Sequence, residues 1–209
     1  LLNDGAGGFL EAQARPGTQS SEAVLALDAD ADGDADVLTL GRYSSAVTVA
    51  LNPGNGLFPS APPQRVSGPG RGIDAADIDG DGDLDVATAA SLLQVHVNAG
   101  GRLFDPAATI PLPAAFTPPA DVKLLDLDAD GRVDLLVGPS SGGGFGVARG
   151  RGVGTFDALV QWPLPCGGPV NAFDLDADGD LDVVMPSCSS GFDGFMVVAR
   201  NDGSLTFSA

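Results

Sequence analysis

The apolar positions of this chain fall in short runs rather than long stripes. VTVAL (residues 47–51), LQVHV (93–97), FGVA (145–148) and FMVVA (195–199) are compact and carry β-branched or aromatic side chains. Each is followed by a Gly-rich turn leading to a phenylalanine, at residues 52–58, 98–104, 149–156 and 201–207, and a fifth such turn stands at 3–9. The phenylalanines (Phe9, Phe58, Phe104, Phe156 and Phe207) lie 49, 46, 52 and 51 positions apart. Asn-Gly-type turns between β-rich runs predict antiparallel hairpins.

A second motif keeps the same step. Windows 28–36, 77–85, 126–134 and 174–182 all fit D-x-D-x-D-G-x-x-D, and their first aspartates are separated by 49, 49 and 48 positions. In the last copy VNAF (170–173) runs into the loop and DVVM (182–185) leaves it. A third strand, the Gly-rich turn and a fourth strand carrying the Phe complete the unit. Four short antiparallel strands, repeated at this period, predict an all-β fold: a β-propeller in which each unit is one blade. The chain is then a single propeller domain. A partial blade occupies 1–22, and full blades occupy approximately 23–62, 72–109, 120–163 and 168–209. The Pro-rich stretches from Pro59 and Asp105 are expected to connect the fourth strand of one blade to the first of the next.

Composition sharpens this picture. The chain has 209 residues, 44% of them hydrophobic, so a core can form. Gly (30) and Pro (16) recur throughout, which disfavours long helices. No apolar run approaches the roughly 18 residues of a spanning helix. The formal charge is −18, which argues against nucleic-acid backbones and anionic membranes as partners. Of 28 acidic residues 26 are Asp, and 19 of those lie in the four windows.

Such loops suit a hard divalent cation with oxygen ligands. Carboxylates at loop positions 1, 3 and 5 converge, Gly at 6 allows the bend, position 7 offers its carbonyl, and Asp at 9 closes the shell, expected bidentate. The expected ligands are Asp28, Asp30, Asp32, Asp34 and Asp36; Asp77, Asp79, Asp81, Asp83 and Asp85; Asp126, Asp128, Asp130, Arg132 and Asp134; and Asp174, Asp176, Asp178, Asp180 and Asp182. A carbonyl ligand at position 7 accommodates Arg132. Three of the loops contain no basic residue, so the crowded carboxylates call for a cation. About four Ca²⁺ are expected, which would bring the charge from −18 to −10. Magnesium fits less well because it demands stricter octahedral geometry, and zinc because no loop offers His or Cys. EF-hands begin alike but need Glu at position 12, where this chain has Thr39, Thr88, Val137 and Met185.

With these loops, turns and period, the chain resembles the FG-GAP/VCBS repeat proteins, the group that includes the integrin alpha-subunit propeller. The resemblance covers essentially all of the chain. It implies a calcium-binding propeller, usually extracellular, secreted or at the cell surface. There are departures: a Phe-Gly pair occurs only at Phe145-Gly146 and no Gly-Ala-Pro follows it, so the bacterial-type VCBS subgroup is the closer match. The family includes adhesion proteins, lectins and noncatalytic parts of enzymes, so membership alone leaves the function open.

The remaining residues add smaller expectations. Cys166 and Cys188 flank the hairpin of the last blade at nearly opposite positions, which suggests a disulfide, the alternative being two buried thiols. His96, the single histidine, is expected to pack or face solvent rather than act as a base. No nucleophile motif or P-loop is present, and the chain is not expected to be an enzyme. Trp162, in a connection between blades, and Tyr43, in a turn, are candidate contacts for a protein or glycan ligand. The chain opens within a blade, and the expectation is a piece of a propeller of about seven blades. A smaller self-closed propeller is the alternative. Three functions follow: a protein- or glycan-binding scaffold, the noncatalytic propeller part of a carbohydrate-active enzyme, or a structural spacer.

Overall fold

The protein is described by a computed structural model covering residues 21–41, 47–56, 58, 70–98, 108–186 and 196–208. These residues form four antiparallel sheets, and among them there is no helix. The first sheet holds β1 (Ser21–Leu27), β2 (Asp36–Gly41) and β3 (Val47–Ala50). The second holds β4 (Gly70–Ala76), β5 (Asp85–Ala90), β6 (Leu93–His96) and β7 (Ala108–Ile110). The third holds β8 (Pro119–Leu125), β9 (Asp134–Pro139), β10 (Phe145–Ala148) and β11 (Val160–Trp162). The fourth holds β12 (Asn171–Phe173), β13 (Asp182–Pro186), β14 (Met196–Asn201) and β15 (Phe207–Ser208). Strands pair in chain order within every sheet, the meander of a propeller blade.

The core lies between sheets, not within one. Along β9, Leu135 and Val137 join a cluster with Ile78, Ala87 and Val95 of the second sheet, while Leu136 joins one with Val170, Val183 and Met185 of the fourth. Along β5, Val86 packs towards the first sheet with Leu38 and Leu40, and Ala87 and Ala89 pack towards the third. The central strands of the two middle sheets are therefore buried on both faces, which is why their sequences, DVATAA and DLLVGP, are apolar without alternation. Fully burying each Leu or Val contributes about 1.5–3 kcal/mol.

The first strands of the first three sheets lie side by side. The Asp74 carboxylate of β4 accepts the Leu124 N–H of β8 at 2.9 Å, and Asp121 of β8 accepts the Val170 N–H at 3.0 Å. Gly72 permits this approach, since a Cβ there would stand 2.6 Å from the Asp121 Cα.

Two placements differ from the expectation. The fourth strand does not carry the Phe in the third sheet. Phe156 only closes its turn in a bridge to Gly150, the Asp157 N–H donates to the Arg149 carbonyl at 2.9 Å, and the chain re-pairs with β10 at Val160. Likewise β7 lies inside the Pro-rich stretch expected to be a plain connection. Trp162 is consequently not in a connection: it ends β11, opposite Phe145, because the outer strand starts later than the turn chemistry suggested.

Candidate metal centres

Every Asp loop joins the first strand of its sheet to the second, and its backbone explains its sequence. Position 6 has φ between +82° and +99° at Gly33, Gly82, Gly131 and Gly179, the left-handed region that favours glycine. Position 4 is left-handed too. Gly80 supplies it freely in the second loop, while Ala31, Ala129 and Ala177 adopt it at +57°, +55° and +63°.

The position-1 carboxylate organises the turn by accepting backbone N–H groups from its far side. Asp28 accepts from Asp32 and Gly33 at 3.2 and 2.9 Å, Asp77 from Gly80 and Gly82 at 2.7 and 3.0 Å, and Asp126 from Asp130 and Gly131 at 3.1 and 2.9 Å. Asp174 accepts from Gly179 at 3.3 Å. Position 5 in turn accepts the N–H of position 7 in all four loops.

Position 9 plays the largest structural part. Asp36, Asp85, Asp134 and Asp182 are all fully buried. One oxygen accepts the position-2 N–H of its own loop: Ala29, Ile78, Leu127 or Leu175, at 2.8–3.2 Å. The other accepts an N–H from the turn after the third strand: Asn52, Asn98, Gly150 or Asn201, at 2.7–2.9 Å. This aspartate locks the loop to the Gly-rich turn, so the two repeating motifs form one unit. Burial, opposed by those hydrogen bonds and aided by the neighbouring aspartates, pushes Asp85 and Asp134 up to about 6.

The loops also reach the next blade. Asn98 Nδ2 donates to the Ala29 carbonyl of the first loop at 3.3 Å, and Asn201 Nδ2 donates to the Leu127 carbonyl of the third at 2.7 Å. In the second loop the Ile78 carbonyl accepts the Gly154 N–H at 3.2 Å.

Carboxylate oxygens gather at one point in each loop, within 4.8 Å of one another. Asp28, Asp30 and Asp32 meet in the first loop, Asp77, Asp79 and Asp85 in the second, Asp126, Asp128 and Asp134 in the third, and Asp174, Asp176 and Asp178 in the fourth. Asp81 and Asp130 at position 5, and Asp36 and Asp182 at position 9, stand outside these groups. Position-7 side chains lean elsewhere. A Cβ on Gly54 would stand 2.7 Å from Asp34 Oδ2, one on Gly203 2.6 Å from Asp180 Oδ2, and one on Gly152 3.3 Å from Arg132 Cδ. A side chain lying over the turn glycine can be Asp or Arg equally well. Desolvation, with Asp178, Asp128, Asp174 and Asp202 nearby, raises the Asp180 pKa.

These oxygen-only donor sets fit a hard divalent cation. In the third loop Asp128 Oδ1 is buried and has no hydrogen-bond partner among the described residues, so it could serve as a ligand. Positive charge also reaches two loops from outside their nine residues: the third, which already holds Arg132, and the fourth, which has no base of its own. Arg149 pairs with Asp128, and Arg200 pairs with Asp176 at 3.2 Å. Both arginines come from the end of a third strand. The strand register places them opposite the position-9 aspartates Asp134 and Asp182, a proximity that pairing the strands on paper would have revealed.

Of the other candidates, Trp162 is half-buried, its ring edge-on to Phe207 at 5.4 Å, with Phe207 edge-on to Phe145 at 5.0 Å. It borders a cleft of about 280 Å³ shared with Val147, Arg149, Asp157, Val160 and Ser204. Cys166 is buried, while Cys188 and Tyr43 lie outside the described residues, and with them the expected bridge. His96 is buried with Nε2 unpartnered among the described residues, and desolvation lowers its pKa to about 4.

Comparison with known proteins assigns the class. The FG-GAP-like repeat model matches residues 28–88 and 126–185, more than half of the chain. The protein belongs to the FG-GAP-like repeat family. No curated protein matches it. Among solved structures, an Agrocybe aegerita lectin described as specifically recognising non-reducing terminal N-acetylglucosamine superposes with a TM-score of 0.61 at 21% identity. The match covers 91% of this chain and 52% of the lectin, so the chain spans about half the length of that relative. The Photorhabdus luminescens Tc holotoxin pore matches at a TM-score of 0.44 and 20% identity, over 76% of this chain and 8% of that one.

Proposed function

We propose that this chain is a noncatalytic, calcium-binding propeller module of a secreted or cell-surface protein, serving as a scaffold that binds a protein or glycan ligand. The observation that carries the calcium part is the recurrence, at one place in every sheet, of three carboxylate oxygens within 4.8 Å of one another. Like charges this close are tolerated when an ion shares them. Positions 1, 3, 5 and 9 would supply carboxylates and position 7 its carbonyl. The ion would neutralise the cluster and tie the first two strands of each blade to the turn after the third. Each sheet with its loop makes one blade, and Cys166 bonded to Cys188 would close the last, in keeping with an oxidising compartment.

The glycan part rests on two observations: the fold is shared with a lectin, and Trp162 borders a cleft with Arg149, Asp157 and Ser204 between the third and fourth blades. An apolar ring beside polar groups is the usual make-up of a small-ligand site. Among the described residues no helix is long and apolar enough to cross a membrane.

Isothermal titration with Ca²⁺ tests the first part, with close to four sites expected and none overturning it. Glycan-array binding lost in Trp162→Ala tests the second. Binding that survives the substitution would remove Trp162 from the site.

A further inference from the structure

The four loops share a motif but not a charge environment. The second and third are the cleanest pair, because in both the gathered carboxylates come from positions 1, 3 and 9. The residue opposite the position-9 aspartate is Val97 in the second blade and Arg149 in the third, read from the registers of β5 with β6 and of β9 with β10. Asp128, at position 3, has a side chain only 2% exposed and is held by the Arg149 guanidinium. Arg132, within the same loop, pairs with Asp130 at 3.5 Å. The second loop has five aspartates and no base in its sequence, and no described Lys or Arg pairs with Asp79. The fourth blade repeats the arginine, with Arg200 on Asp176, in a more exposed pair.

We propose that Arg149, and more weakly Arg200, are tethered counter-charges for the position-3 aspartates, so that the third and fourth loops keep their shape without an ion and bind Ca²⁺ more weakly than the second loop. This rests on the calcium reading above. A guanidinium touching a buried carboxylate satisfies charge and hydrogen bonding together. A cation entering the third loop has to draw Asp128 away from Arg149 or bind beside a fixed positive charge, and either weakens it. The second loop has no such competitor in its own sequence. Without an ion, its five carboxylates repel one another at short range.

The position-6 glycine amides of Gly82, Gly131 and Gly179 report each loop separately in a ¹⁵N-resolved calcium titration of the whole chain. In the wild type the Gly82 signal is expected to saturate at lower calcium than those of Gly131 and Gly179. Arg149→Met keeps an apolar stem in place and should tighten the Gly131 site about tenfold, as expected for loss of a partly buried charge pair. Arg200→Met should tighten the Gly179 site about threefold, since its pair is exposed. The reciprocal Val97→Arg should loosen the Gly82 site. Glycine signals that respond to calcium with equal midpoints, unchanged in both arginine variants, overturn this proposal and leave the calcium reading standing. Signals that do not respond in any variant overturn both.

Discussion

The second and third aspartate loops are built on one backbone plan and solve its electrostatic problem differently. Both bury the position-9 carboxylate completely, and both hold it with two backbone N–H groups, so Asp85 and Asp134 are pushed to about the same pKa. Around that shared frame the second loop has Gly80, Asp83, Val97 and Asn98, where the third has Ala129, Arg132, Arg149 and Gly150. The lesson is that the motif specifies shape and its surroundings specify charge. The nine-residue pattern recurs with the same backbone hydrogen bonds in both loops, while the residue at the end of the third strand differs in charge, Val97 against Arg149.

The largest expected effect is removal of calcium. Extracellular calcium modules bind at roughly 10⁻⁴–10⁻³ M, so at about 1 mM free ion a site with Kd near 10⁻⁴ M adds about 1.4 kcal/mol. Four independent sites would add about 5–6 kcal/mol, comparable to a domain's stability. EDTA should therefore lower the melting midpoint markedly at matched ionic strength, and hydrogen exchange should show the Gly82 amide opening more than that of Gly131. An unchanged midpoint means the loops are not structural calcium sites. Equal exchange at the two glycines would dissolve the distinction between the loops.

Next comes the frame that the two loops share. Asp134→Ala leaves the Leu127 and Gly150 N–H groups buried without their acceptor and should cost about 2–4 kcal/mol, with Asp85→Ala costing about the same. Chemical denaturation in EDTA isolates this from ion binding. A loss below about 1 kcal/mol in either variant would mean that position 9 serves the ion alone.

Much of this frame was legible in the sequence. The repeat period, the glycines and the alternation of turns with apolar runs follow from local chemistry, and local chemistry is what a sequence displays. Trp162 was misplaced because Phe156 was read as part of the outer strand, whereas it only closes a turn and pairing resumes at Val160. Arg149 and Arg200 were missed because a loop's charge was counted within its own nine residues. Their partners lie 21 and 24 positions away and are brought near by strand register alone. The hydrogen bonds by which Asp74 and Asp121 hold the Leu124 and Val170 N–H groups of the next sheet's entry join residues some 50 positions apart, for which no local signal exists.

A smaller effect separates the two blades by pH. His96 stands in β6 where β10 has Ala148, and its burial holds its pKa at about 4 against 6.5 for an exposed imidazole. Between those values the unfolded chain takes up a proton that the native state refuses. Stability from this residue is thus complete above pH 6.5 and is lost as pH falls towards 4, by about 2 kcal/mol at pH 5. Between pH 7 and 5 the wild type should lose about 2 kcal/mol relative to His96→Leu, read from denaturation midpoints of the two proteins. Parallel curves would show that His96 is not buried neutral.

The smallest prediction turns on position 4. Here the second loop is the relaxed one, with Gly80 at φ +83°, while the third holds Ala129 at +55°. An L-residue in the left-handed region costs roughly 1–2 kcal/mol, because its Cβ crowds the following carbonyl. Glycine removes that strain but is more disordered when unfolded, which gives back about 0.5–1 kcal/mol. The net gain for Ala129→Gly is then about 0.5–1 kcal/mol, and Ala177→Gly, at φ +63°, should gain as much. Gly80→Ala should lose a similar amount, and crowding would not be the cause, since nothing lies within 4 Å of where its Cβ would be. Paired denaturation curves in EDTA measure all three without the ion's contribution. If Ala129→Gly destabilises while Gly80→Ala is neutral, backbone strain is not what distinguishes the loops, and their difference reduces to the charge that Arg149 and Arg132 bring.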